Sequence, residues 1–92
     1  MQITRDVKYL TSLEVILDFI AKDSFNRAVK FLHLLDKHID QIPNMPYKYR
    51  QSYYFDATNV RDLICKGYTI PYFIDIDTQT IVILDIFKWS KR

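Results

Sequence analysis

The 92-residue sequence is poor in the residues that break or cross-link a chain, with one glycine, one cysteine and three prolines. A single glycine cannot build the Gly-rich loop that cradles phosphates, which excludes nucleotide sites of that kind. A lone Cys65 closes no internal disulfide, and with only two histidines there is no Cys/His cluster for zinc. His33 and His38 are about 140° apart around a helix, so they do not chelate one ion together and are expected at the surface. No metal and no small-molecule cofactor is therefore expected. No apolar run approaches the roughly 20 residues that span a bilayer. Met1-Gln-Ile-Thr-Arg-Asp6 also lacks a charged segment followed by an apolar one. No membrane partner and a cytoplasmic location follow as expectations. Charge of one sign is scarce too: 13 Lys and Arg against 11 Asp and Glu give +2, too little to imply nucleic-acid binding by itself.

What is present is material for a folded core. Hydrophobic residues make up 49% and charged residues 26% of the chain, far from the composition of disorder. The apolar part is rich in rings, with seven Tyr, six Phe and one Trp. A chain of this length has surface enough for one core only, so residues 1–92 are expected to form a single domain. The charges are unevenly placed, since Lys88-Trp-Ser-Lys-Arg92 holds three cations and no acid.

Residues 2–8 alternate loosely, as in a half-buried strand. Thr11-Ser-Leu-Glu14 has the spacing of a capping box and predicts a helix from there to about Lys22. Asp23 or Ser24 can cap a second helix. Its apolar residues Phe25, Ala28, Val29, Leu32, Leu35, Ile39 and Ile42 recur at steps that favour one face, and it should end near Pro43. With only a cap between them, the two helices must form an antiparallel hairpin that needs a third surface to cover it. The period then changes. Val60–Cys65, 68–76 and 80–87 are β-branched and aromatic runs that predict a three-stranded antiparallel meander packed on the helices, completing an α+β fold with the N-terminal strand. Lys66-Gly67 supplies one tight turn and residues 75–79 the other. The nearly unbroken apolar character of residues 80–87 predicts a strand that is central or covered on both faces. Pro71 predicts a local irregularity, because proline cannot donate to a ladder.

The order strand, helix hairpin, loop and meander with a basic end resembles the RelE/ParE toxins of type II toxin–antitoxin systems, over essentially the whole chain. The more specific likeness is local: Val60-Arg61-Asp-Leu-Ile64, Gly67-Tyr-Thr-Ile-Pro-Tyr72 and Thr80-Ile-Val-Ile-Leu-Asp-Ile-Phe87 are similar to that family's Arg-bearing strand, Gly-Tyr-x-Ile-x-Tyr strand and final apolar strand. The long helix pair is closer to the ParE branch. The resemblance implies a cytoplasmic toxin neutralised by a cognate antitoxin. It also implies a target, which is DNA gyrase for ParE-like members and ribosome-bound mRNA, cleaved as an endoribonuclease, for RelE-like members.

RNA cleavage through the 2′-hydroxyl needs a base, cations for the pentavalent phosphate and an acid for the leaving oxygen. In this chain the candidates are Arg50, Arg61 and Lys88, and Lys88-Trp89 stands where family ribonucleases often place His or Tyr. Arg61 has a second reading as a structural partner for a carboxylate such as Asp85, itself more suited to a counter-ion than to a base. Lys48 and Arg50, set among Tyr47, Tyr49, Tyr53 and Tyr54, have the cation–aromatic mix of a macromolecular contact, or alternatively of a loop that covers the core's edge. Lys88, Trp89, Lys91 and Arg92 form the other candidate target-binding group, with a solvated tail as the plain alternative. Leu17, Phe31 and Leu34 are the candidate antitoxin contacts on the hairpin's outer side. Cys65 fits best as a small buried hydrophobe.

Overall fold

A computed structural model of the chain describes residues 1–88. The α+β order is present: β1 (Gln2–Arg5), α1 (Val7–Asp23), α2 (Phe25–Gln41), β2 (Val60–Cys65), β3 (Tyr68–Asp75), β4 (Thr80–Ile83) and β5 (Phe87–Lys88). The sheet is mixed, in the order β1-β4-β3-β2, with β1 parallel to β4 and the other pairings antiparallel. β4 is thus central, in keeping with its apolar composition.

Asp6 ends β1 and starts α1, earlier than the capping-box spacing predicts. Its amide donates to the Ile83 carbonyl at 2.9 Å, while its carboxylate accepts from the Lys8 amide at 2.9 Å, which makes it the N-cap. Thr11 and Glu14 lie exposed within the helix, where no free amides remain for them to cap. The early start is what lets Tyr9, fully buried, face the core from the first turn. Ser24, in extended backbone (φ −158°, ψ 117°), is the only residue between the helices. Its hydroxyl accepts from the Arg27 amide at 3.2 Å and its own amide donates to the Ile20 carbonyl at 2.9 Å, so one residue caps both helices. Asp23 instead pairs with Arg27 at 2.6 Å.

The buried stripe of α2 and the turn after it is Ala28, Phe31, Leu35, Ile39 and Ile42. This differs from the predicted stripe at four positions: Val29 and Leu32 are only half-buried, and two aromatic residues exchange roles. Phe25, in the first turn beside the hairpin bend, is 71% exposed, whereas Phe31 is 8% exposed and packs on Tyr68 with ring centroids 5.2 Å apart. Phe31 is therefore not an outer residue of the hairpin. The helices cover one sheet face, where Leu63, Ile70, Ile74, Ile81 and Ile83 meet Leu35 and Ile39. Cys65 joins the same core, and burial pushes its thiol pKa up.

Lys66 and Gly67 turn β2 into β3 with φ of 52° and 83°, the two positive values that a two-residue hairpin of matching twist requires. The last predicted strand is split. Tyr72 pairs with Ile83 and Thr69 with Phe87, so Leu84, Asp85 and Ile86 stand opposite Ile70 and Pro71. This is a bulge with one extra residue on the outer chain. Pro71 has no N–H to offer there, and only its carbonyl is used, accepting from the Leu84 amide at 2.9 Å.

Candidate functional site

The segment between α2 and β2 carries the cation–aromatic cluster, and two consecutive residues of β2 hold it in place. Successive strand residues point to opposite faces, so Arg61 and Asp62 grip the segment from both sides of the sheet. Arg61 donates from Nε to the Thr58 carbonyl at 3.1 Å and from its terminal nitrogen to the Tyr49 and Tyr47 carbonyls at 3.1 and 3.5 Å. It also lies 5.0 Å from the Tyr47 ring centre. Asp62, with its side chain fully buried, faces the Arg50 guanidinium at 3.5 Å and accepts from the Tyr53 amide at 3.3 Å, while its Oδ1 has no hydrogen-bond donor among the described residues. Arg50 in turn stacks 4.1 Å from the Tyr53 ring centre. The backbone completes the attachment: the Ser52 amide donates to the Val60 carbonyl at 2.8 Å and the Asp62 amide to the Arg50 carbonyl at 3.1 Å. That pairing covers half of the outer edge of β2, which would otherwise be an open ladder.

The expected pairing of Arg61 with Asp85 is not formed. Asp85 sits in the bulge next to Lys8, at 3.7 Å, and Arg61 is occupied by carbonyl oxygens instead of a carboxylate. On the helix side of the segment, Tyr72 donates its hydroxyl proton to the Pro46 carbonyl and its ring meets Tyr49 edge-on. Burial, with Tyr49 adding to it, holds the Tyr72 pKa well above the ordinary tyrosine value.

These contacts bear on Arg50, Arg61 and Lys88 as a catalytic set. Lys88 is opposite Tyr68 and Arg61 opposite Tyr72 on β3, four residues apart and hence separated by roughly 13 Å along the sheet. Arg50 lies on the other face from Arg61, bound to Asp62. The backbone positions of the three are thus spread along the sheet, with Arg50 and Arg61 each already engaged by other groups. Nor do the described residues hold any cluster of three metal-ligating side chains. His33 is exposed and His38 half-buried on α2.

Of the candidate target-binding residues, Lys48, Arg50 and Lys88 are exposed; Trp89, Lys91 and Arg92 lie outside the described residues. The segment reaches the C-terminal end through Tyr54, whose ring meets Phe87 edge-on at 4.9 Å. Of the candidate antitoxin contacts, Leu17 is half-buried against the core, whereas Phe31 and Leu34 line a groove of about 620 Å³ between the hairpin and the β2–β3 turn. Apart from Lys88, sequence reasoning missed the rest of that groove, which draws on α1, α2, the β2–β3 turn, β3 and β5 together. No single run of residues carries it.

A family model described as "ParE toxin of type II toxin-antitoxin system, parDE" matches residues 4–91. Among proteins with curated descriptions none matches the sequence. A solved structure described as "Chromosomal ParDE TA system from P. aeruginosa" superposes with a TM-score of 0.77 at 16% identity, covering 98% of this chain and 97% of the other. At that identity the superposition speaks for the fold. The family match spans nearly the entire sequence and includes the Arg61-Asp62 pair and both hairpin turns, and on that ground the chain belongs to the ParE toxins of type II toxin–antitoxin systems.

Proposed function

We propose that this ParE toxin acts in the cytoplasm by binding, without bond-breaking chemistry of its own, and that its target is DNA gyrase. In this reading its C-terminal end and the adjoining Lys48–Arg50 segment engage the target, and a cognate antitoxin neutralises it. The observation that carries the non-enzymatic part is the placement of the sheet cations. Arg61 is spent on three carbonyls, Arg50 on a buried carboxylate, and Lys88 stands a strand's length away. Transfer of a phosphoryl group needs charges preorganised around one site, and these are dispersed. The Tyr54–Phe87 contact supports a composite target surface, because it joins the segment to the strand from which the basic end departs.

The test is induction of the chain in a bacterium while transcript integrity and DNA supercoiling are followed together. Relaxed or broken DNA with whole transcripts is the expected result. Cut transcripts with undamaged DNA would overturn the proposal in favour of a ribosome-dependent mRNA endoribonuclease. Removal of residues 89–92 should abolish toxicity and leave antitoxin binding largely intact.

A further inference from the structure

The bulge between β4 and β5 borders a pocket of about 480 Å³ that shares no residue with the groove beneath the hairpin. Its apolar wall is Leu84 with the rings of Tyr54, Phe55 and Phe87, and its polar wall is Asp6, Lys8 and Asp85. Two carboxylates thus face one ammonium, which makes the pocket acidic in a chain whose net charge is +2. The chain's own cation balances that excess weakly. Lys8 reaches Asp85 at 3.7 Å from a side chain that is 74% exposed, whereas the Asp85 side chain is 17% exposed. An exposed lysine at that distance contributes little, while a carboxylate so far withdrawn from water gains from a closer partner. Asp85 accepts from the Ile86 amide through Oδ1 at 2.8 Å, and Oδ2 is the oxygen turned to Lys8. Asp6 caps α1 by accepting from the Lys8 amide, and its charge offsets the positive end of that helix.

Rings beside carboxylates are the surroundings that hold a guanidinium. The planar ion stacks on an aromatic face, its fork matches a carboxylate, and it is more weakly hydrated than an ammonium. The chain already uses this arrangement internally, with Arg50 4.1 Å from the Tyr53 ring centre and 3.5 Å from Asp62. We propose that the pocket receives an arginine side chain from a segment of a partner protein, its guanidinium displacing Lys8 from Asp85 and its stem packing on Leu84 and Phe55. A partner's side chain fits better than a small molecule, because Lys8 and the 41% exposed Phe55 leave the pocket open to water on one side, whereas small ligands are mostly enclosed. Lys8 then has a role of its own. It pairs with Asp85 before the partner arrives, and its displacement opposes binding, so it sets how strong a cation must be to enter. The proposal goes beyond the gyrase reading and does not depend on it, since any partner that presents an arginine meets the same chemistry.

The experiment titrates the isotope-labelled full chain with blocked tripeptides and follows its amide resonances by NMR. The central residue is arginine, lysine or citrulline, the last a neutral group of nearly the same shape as arginine. The arginine peptide should shift the amides of Lys8, Leu84, Ile86 and Phe87 and bind at least about tenfold more tightly than the citrulline peptide, with lysine between them. Asp85→Asn, which keeps an acceptor for the Ile86 amide, should weaken the arginine peptide by about tenfold. Lys8→Ala, at an exposed position, should strengthen it by about threefold. Equal binding of the arginine and citrulline peptides would overturn the proposal, as would shifts confined to other amides. Weaker binding to the Lys8→Ala chain, or acetate shifting the same amides, would overturn it by making the pocket an anion site. Methylguanidinium binding as tightly as the arginine peptide would assign the pocket to a free small cation, and binding seen only after removal of residues 89–92 would assign it to the chain's own basic end; either result overturns the proposal. The readout is affinity at this pocket, so its failure is distinct from that of the gyrase reading, which the supercoiling assay addresses.

Discussion

Removing Arg50 should destabilise the fold through a group it leaves behind. Asp62 is fully buried, and among the described residues its carboxylate has one charged neighbour, the Arg50 guanidinium at 3.5 Å, and one amide donor, Tyr53 at 3.3 Å. Taking away one partner of a buried pair costs about 3–5 kcal/mol, because the remaining charge stays desolvated. Arg50 is itself 37% exposed, so water screens part of the attraction and about 2 kcal/mol is the better expectation for Arg50→Ala. For a domain of this size that corresponds to a fall in melting temperature of about 8–16 °C. Part of the loss belongs to the Arg50–Tyr53 stack, worth about 0.5–1 kcal/mol, and a double-mutant cycle separates the two. Asp62→Asn keeps the volume and the acceptor for Tyr53 but removes the charge, so Arg50→Ala should cost about 1 kcal/mol less in that background than alone. Urea unfolding followed by circular dichroism supplies the numbers, with the midpoint moving and the slope unchanged. A cost for Arg50→Ala below about 0.5 kcal/mol, the range of ordinary surface substitutions, would refute the reasoning. So would additivity within that error.

Three other outcomes are expected. Gly67→Ala meets no atom within 4 Å of the added Cβ but sits at φ +83°, so it should cost about 1 kcal/mol from backbone strain alone, measured as a lower melting temperature with unchanged circular dichroism. Ser24→Ala removes the acceptor for the Arg27 amide and should cost about 1 kcal/mol, whereas Ser24→Gly should cost only a few tenths; equal costs for the two would show that the hydroxyl contributes nothing. Stability should fall as pH rises from 10 towards 12, because burial, and after it the Asp36 charge, lifts the Tyr9 pKa from 10.0 to about 12. In that window the unfolded chain has lost a proton that the folded chain keeps, so each pH unit removes about 1.4 kcal/mol per such tyrosine; Tyr72 adds to the loss, and an alkaline urea midpoint that does not move would count against both assignments.

The sequence revealed most where local chemistry and tertiary packing ask for the same thing. Ser24 reads as a cap because a serine before Phe25 has amides to satisfy, and Lys66-Gly67 reads as a turn because two strand-like runs are separated by two residues. Legibility failed where a distant partner decides. Asp6 alternates like a strand residue, and only the Ile83 carbonyl and the burial of Tyr9 make it a helix cap. The apolar run 80–87 hides its bulge, since hydrophobicity does not record which carbonyl Leu84 must reach. Phe25 and Phe31 fall six residues apart on one helix, yet only the sheet beneath determines which ring it covers. Arg61 holds backbone oxygens, which have no sequence signature, and Asp62 finds Arg50 across a whole loop. The groove was visible only in fragments, as Phe31 and Leu34 on one side and Lys88 on the other.

The parallel pairing of β1 with β4 also has a kinetic side. Residues 2–5 leave the ribosome long before their register partners, residues 80–83. Contacts so distant in sequence form late, after the entropy of closing the intervening chain has been overcome. Until β4 has been made and has left the exit tunnel, β1 has no neighbour, the central strand of the sheet is missing and the helix hairpin has only part of its support. Protease digestion of ribosome-stalled chains should therefore show protection only in those that expose residue 83 beyond the tunnel. A chain that has not yet presented Thr80 therefore lacks the partner of β1, and a product cut short before that residue should be cleared by proteases in place of folding.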